Sequence, residues 1–351
     1  MTRDVAVVAT AHFAVELTTD SPVEILIPTI NDALANAGLE RSEVDFWCHG
    51  SCDYMIGQPF SFVQAVDALG AWPPIVESHV EMDGAWALYE AWVKIVLGEA
   101  DTAVVFGNGK SSSADMFKVM TLQLDPYLEA PLGPDQIALA GLQARVAMEA
   151  GAVSEQAMAE VAARSRANAV GNPQAIVSGE VGVDELLGAP MVRDPFRAHD
   201  IPAHADGITV AVLAAGDAAR RLAERPAWIR AIDHRIDAQR IGGRDLVGLP
   251  SAAEAARRCG VADDKVDVVE VHAPFTHEEL LLTRALGIDA DATRINPSGG
   301  ALVSNPLMAA GLARIARSAE AVFDGGADRA VAHATQGPCL QQNLVCVLEG
   351  E

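Results

Sequence analysis

The sequence predicts an α/β protein made of two copies of one β-α-β-α-β unit, and three observations carry that prediction. The 351 residues are half apolar, enough for a large core and for two similar halves. Strand-like and helix-like segments alternate, the mark of a mostly parallel sheet covered by helices. The second half also echoes the first. "ALANAGLERSEVDFWCHG" is answered by "AARRCGVADDKVDVVEVHA", setting Gly38 and Asp45 against Gly260 and Asp267 at one offset. "VLGEADTAVVFGNG" is answered by "FDGGADRAVAHATQG", setting Asp101 against Asp328. Gly and Asp recur wherever strands meet turns, so equivalent contacts in space are what distinguish a duplication from coincidence.

Eight apolar runs read as strands in chain order: "VAVVAT", "VDFWCHG", "DTAVVFG", "ITVAVLAA", "AWIRAIDH", "VDVVEVHA", "RAVAHAT" and "LVCVLEG". The segment "VESHVEMDG" reads as a loop that leads into a helix from Gly84 to Gly98. Along it Trp86, Leu88, Trp92, Val93, Ile95 and Val96 recur at spacings of three and four, and glycine closes it. Residues 108 to about 205 break the repeat with a Pro-rich stretch and two helices, the second capped by Ser154 and stopped by Gly171 and Pro173. The expected organisation is a first half, 1–225, carrying this inserted loop domain, and a second half, 226–351.

Twenty-five Lys and Arg against forty-eight Asp and Glu give a net charge of −23, which argues against nucleic acid or an anionic membrane as partner. The apolar runs are far shorter than the roughly 18 residues that span a bilayer, and a cytoplasmic location is expected. Five scattered cysteines, Cys48, Cys52, Cys259, Cys339 and Cys346, fit reduced thiols better than a disulfide framework. "CHGSC" has no second ligand pair at zinc spacing, so no metal site is expected.

The duplicated half with a loop domain inserted into its first copy resembles the thiolase superfamily. "SEQAMAEVAARSRANAVGNPQA", followed by "LLGAPMVRDPFRAHDIPAHADGITVAVLA", is similar to the loop-domain end of sterol-carrier-protein-type thiolases and their lipid-transfer relatives. "VHAPFTHEEL" resembles that branch's HDCF-type motif, and "NPSGGALVSNPLMAAG" its NxxGG…GHPxG motif. The resemblance implies a layered α/β/α/β/α arrangement, usually dimeric. It also implies an acyl-coenzyme A thioester as substrate, with no tightly bound cofactor.

The site residues follow from matching motifs. Thiolases place a nucleophilic Cys in a C-x-S-G pattern at the start of the buried helix, and here that pattern reads Glu81, Met82, Asp83, Gly84. The sulfur is absent. Asp83 can cap the helix and Glu81 can satisfy its first N–H groups, or Glu81 can carry a proton. His272 stands at the HDCF His, able to accept a proton or donate a hydrogen bond to a thioester oxygen. Asn305 replaces the GHP His; its amide can polarise a carbonyl but cannot act as a base, and Ser304 beside it offers a second oxyanion contact. Cys339 falls near the second thiolase Cys, as either an acid–base group or a buried structural thiol. His277 and Glu278 read as solvated or capping groups, and His49 as the first-half echo of His272. Arg164, Arg166, Arg193 and Arg197 lie in the region that in thiolases receives coenzyme A, whose phosphates suit arginine.

Without a nucleophilic Cys, the resemblance implies aldol cleavage of steroid or other branched side-chain thioesters rather than acyl transfer, a true acetyl-CoA acyltransferase being the weaker reading. A second reading is a catalytically silent thiolase-like subunit that pairs with an active chain. In either case relatives imply a homodimer, or a heterodimer with a second thiolase-like chain, and a small OB-fold partner carrying a zinc ribbon.

Overall fold

The computed structural model describes residues 3–351. Ten strands build its central sheet: β1 Val5–Val15, β2 Phe46–Gly50, β3 Glu77–Val80, β4 Thr102–Lys110, β5 His204–Ala215, β6 Ala227–Ile236, β7 Val268–Val271, β8 Arg294–Ile295, β9 Arg329–Gln336 and β10 Gln342–Glu349. They run in the order β8-β7-β9-β10-β6-β1-β5-β4-β2-β3, and a short eleventh segment, Asn305–Pro306, pairs with the start of β5. From the centre outward, each half presents its own strands in the order first, fifth, fourth, second, third. The pairing senses also match: β2 is parallel to β3 and β4 as β7 is to β8 and β9, while β5 and β10 pair antiparallel with both neighbours. The halves meet where Ala6 pairs with Trp228 and Val7 with Ala227.

The repeated aspartates make the same contact twice. Asp45 Oδ2 accepts the N–H groups of Asp101 (2.9 Å) and Thr102 (3.1 Å), and Asp267 Oδ2 those of Asp328 (3.1 Å) and Arg329 (3.2 Å). Each carboxylate ties the start of one strand to the next and satisfies two strand-entry donors. The echo is therefore structural. Its register corrects one reading: Phe46 pairs with Ala103 as Val268 pairs with Ala330, so Gly50 holds the position of His272 and His49 that of Val271.

All eight expected strands form. The two that were missed, β3 and β8, are sheet edges of four and two residues. Edge strands need no buried apolar alternation, so "ESHV" carries none and looks like loop. Between β4 and β5 the chain forms helices Met116–Leu122, Gln136–Glu149, Glu155–Asn168 and Val183–Gly188 and a hairpin of Met191–Arg193 with Phe196–Arg197. That is two helices more than expected, each only six or seven residues long and too short for periodicity to reveal.

Two helices fill the core between the halves. Ala85, Leu88, Ala91 and Ile95 of Gly84–Val96 and Leu312, Ile315, Ala319 and Val322 of Ala310–Phe323 join one buried cluster with strands of both halves. Asp83 ties both helix starts together. Its Oδ1 accepts from Ala85 N and Leu312 N and its Oδ2 from Gly311 N, each at 2.9 Å, at 1 % exposure. One carboxylate thus caps two helix N-termini, where the peptide dipoles favour negative charge. Replacing Asp83 by alanine leaves three buried N–H groups unpaired and should destabilise the fold by about 3 kcal/mol; urea unfolding of the purified variant measures it, and an unchanged midpoint excludes the double cap.

Candidate functional site

A cavity of about 790 Å³, counted with its open mouth, lies where the inserted region meets the carboxyl ends of the strands. Asp83, His272, Asn305, Thr335, Glu278 and Cys339 supply its polar wall, and Met55, Met120, Leu139, Phe275, Leu307 and Met308 its apolar wall. Close backbone packing brings the 305–308 segment to it. A Cβ on Gly107 would stand 2.3 Å from the Met308 carbonyl oxygen, and one on Gly109 1.7 Å from that of Leu307. Only glycine lets β4 and that segment touch. Gly84 N donates to Met308 O at 2.8 Å and fixes the contact.

His272 follows the end of β7 and is 5 % exposed. Its Nδ1 accepts the Thr335 N–H (3.4 Å), so Nε2 carries the proton and donates to Asn305 Oδ1 (3.3 Å). Burial pushes the imidazole down to about 3, with the charges of Arg314 and His333 adding to the shift. At neutral pH the ring is thus an uncharged donor, its remaining nitrogen occupied, and of the two roles open to it the geometry favours donating. Asn305, 2 % exposed, turns its oxygen to His272, which leaves its amide N–H₂ for the cavity.

The other expected site residues are not all brought together. Glu81 is about half exposed; it accepts the Asp53 N–H at 2.7 Å and lies 3.9 Å from His79. It does not line the cavity, and Asp83 alone caps the helix. Ser304 is buried, its Oγ without a partner among the described residues, but it borders a separate small cavity with His12, Thr209 and Arg317. Neighbours in extended backbone point to opposite sides, so Ser304 cannot join Asn305 at one oxygen. Cys339 does line the cavity, in a left-handed turn (φ 53°) held by Arg244, and its Sγ donates to Leu139 O at 3.4 Å. Burial, reinforced by the charge of Glu278, pushes its thiol up to about 12, so it remains protonated.

Three of the four arginines are engaged inside the chain: Arg164 with Glu279, Arg193 with Asp135 (2.6 Å) and Arg197 with Glu155 (2.8 Å). Arg166 is half-buried and joins no ion pair among the described residues. His277 and Glu278, expected to be solvated or capping, are both buried, at 0 % and 4 % exposure. Glu278 does cap, its Oε2 accepting Phe275 N at 3.1 Å. Its other oxygen has no partner among the described residues, and burial pushes the carboxyl up to about 8 against the pull of that N–H. Sequence offered no signal for it, because a Glu in a first helical turn ordinarily reads as solvated.

Among the described residues no group of three His, Cys, Asp or Glu is placed to hold a metal ion, and no helix is long and apolar enough to cross a membrane.

No family model matches the chain. It is 27 % identical over 349 residues to the acetyl-CoA acetyltransferase of Methanothermobacter thermautotrophicus, a match covering 90 % of this chain and 89 % of that one. It is also 27 % identical over 354 residues to sterol carrier protein 2 of Gallus gallus, covering 86 % of this chain and 63 % of the longer relative. Among solved structures the Ltp2-ChsH2(DUF35) aldolase superposes with a TM-score of 0.84 at 17 % identity, over 99 % of this chain and 98 % of that one.

Proposed function

We propose that this chain, which belongs to the thiolase superfamily, cleaves a carbon–carbon bond in a β-hydroxyacyl-coenzyme A thioester by a retro-aldol reaction. One observation carries the reading. His272 and Asn305 both line the cavity, and the long 3.3 Å bond from Nε2–H to Asn305 Oδ1 is one that an entering thioester oxygen can replace. The Asn305 amide stands beside it, yet the helix start there holds Asp83 instead of a sulfur nucleophile. Two neutral donors stabilise charge developing on a thioester oxygen, which is what forming an enolate requires. Transfer of an acyl group would need a nucleophile as well, and Cys339, its thiol pushed up to about 12, is not activated. The methionine-rich wall suits a bulky apolar acyl group such as a steroid side chain.

Partners enter this reading through the surface beside the cavity. Strand β3 is a sheet edge, and Tyr54, Phe60 and Trp72, flanking it in sequence, are 67 %, 70 % and 88 % exposed. An unpaired edge with apolar neighbours suits a second thiolase-like chain. The aldolase whose fold this chain shares carries ChsH2(DUF35) in its name, which supports a small partner protein here too.

One observation favours the alternative of a silent subunit. Arg164, Arg193 and Arg197 are held by Glu279, Asp135 and Glu155, so three of the four cations expected to grip coenzyme A phosphates are already paired. The test is cleavage of β-hydroxyacyl-coenzyme A by the isolated chain and by the complex recovered from the native host. Cleavage by the chain alone removes the silent reading; cleavage only by a complex whose partner has its own intact site supports it. Incubation with acetyl-coenzyme A should add no acyl mass to the protein. An acyl group on Cys339 that survives denaturation would restore acyl transfer.

A further inference from the structure

We propose that Glu278 is the proton carrier of this cavity, taking the proton from the substrate's β-hydroxyl group and returning it to the α-carbon. The inference rests on the reading that the cavity holds a β-hydroxyacyl thioester. Its basis is elimination among the groups that line the space. His272 has its hydrogen on Nε2 and its Nδ1 filled by the Thr335 N–H. Asp83 spends its carboxylate on three backbone N–H groups. Cys339 keeps its thiol proton, and Asn305, Gln123 and Gln136 do not titrate.

Glu278 differs from all of these. It sits in the first turn of Thr276–Ala285, 4 % exposed, with Oε2 fixed by Phe275 N and Oε1 free of any partner among the described residues. Its helix neighbours are committed elsewhere: His277 meets Gln143 Oε1 at 3.3 Å, and Glu279 holds Arg164 and Asn296. Arg244, which holds the Cys339 turn in the same wall, is turned to the carbonyls of Pro338 and Cys339. Among the described residues no ion pair fixes Glu278 in its charged form. A carboxyl that burial pushes up to about 8 exchanges a proton readily at physiological pH.

The step balances with this one group. The Glu278 carboxylate takes the hydroxyl proton, the β-carbon becomes a carbonyl carbon, and the α–β bond breaks. Its electron pair passes into the thioester as an enolate held by His272 and Asn305. As the enolate collapses, the protonated Glu278 gives the same proton to the α-carbon, and nothing is oxidised or reduced.

The test compares the wild type, Glu278→Gln and Glu278→Asp in the native complex on two assays. One is cleavage of β-hydroxyacyl-coenzyme A across pH 6–9; the other is exchange of the α-hydrogens of butyryl-coenzyme A in D₂O, read by mass spectrometry. The expected result is a loss on the order of 10² to 10⁴ in kcat/KM and loss of exchange in Glu278→Gln, with partial recovery in Glu278→Asp. The wild-type rate should rise through about pH 8 and that limb should vanish in Glu278→Gln. Full cleavage and an unaltered pH profile in Glu278→Gln overturn the proposal. If the wild type exchanges α-hydrogens through Glu278 but cleaves nothing, the retro-aldol reading falls while the proton carrier stands. If it does neither, both fall.

Discussion

Lowering the pH from 7 to 5 is expected to remove about 6 kcal/mol of stability, comparable with the whole stability of an ordinary domain. Of the five buried histidines, four are shifted furthest. Burial pushes His49, His272 and His277 down to about 3 and His333 to about 4 from the ordinary 6.5. A group whose folded-state value is depressed contributes stability that is complete above its unfolded value and is lost as the pH falls toward the folded one. The unfolded chain therefore takes up protons near pH 6.5 that the folded chain refuses until about 3 to 4. Each histidine withdraws about 2 kcal/mol over this interval. Glu278 acts in the opposite sense. Its value is raised to about 8, so its contribution is complete below about 4.5 and lost as pH rises through 8; it returns about 2 kcal/mol on the same descent. Urea unfolding at pH 7, 6 and 5 measures the net slope. His277→Gln, which keeps a donor toward Gln143, should reduce the acid loss by about 2 kcal/mol, and a stability flat from pH 7 to pH 5 would mean that these imidazoles are not buried as described.

The same burial explains which parts of the molecule were legible in sequence. Strands covered on both faces must be continuously apolar, and "VDVVEVHA" and "ITVAVLAA" announce themselves for that reason. The edge strand Glu77–Val80 has one neighbour and a polar surface, so nothing in its composition marks it. His272 and Asn305 were legible because their motifs place them at strand and helix junctions, and the cavity gathers both. Ser304 was misplaced by a single peptide: adjacency in sequence says nothing about facing one cavity when the backbone is extended.

Pairing across long separations was hidden altogether. Arg164 finds Glu279 and Arg197 finds Glu155 only through tertiary packing, so a cluster of arginines that reads as a phosphate grip is largely an internal network. Glu278 was hidden for the opposite reason. Its helix carries four buried polar residues in succession, Thr276, His277, Glu278 and Glu279. No hydrophobic periodicity distinguishes a helix with polar groups inside from one with polar groups in water.

His272→Ala is expected to lower kcat/KM for thioester cleavage by a factor on the order of 10² to 10³, the usual effect of removing one donor to a developing oxyanion. His272→Gln, which retains a side-chain N–H, should recover part of that loss. Because the ring stays neutral down to about pH 3, neither variant should alter the pH profile between 6 and 9. A base at this position would instead have given the wild type a limb that the variants lack. The substitution also leaves Thr335 N without its acceptor, a loss of about 1–2 kcal/mol in stability, so melting temperature and rate must be read on one preparation. A lower rate per folded molecule with an unchanged pH profile identifies a donor to the enolate oxygen. A lower melting temperature with an unchanged rate makes His272 a strut for β9, and the oxyanion then rests on Asn305 alone. Asn305→Ala would in that case abolish the stabilisation entirely, whereas with both donors working it should cost no more than His272→Ala does.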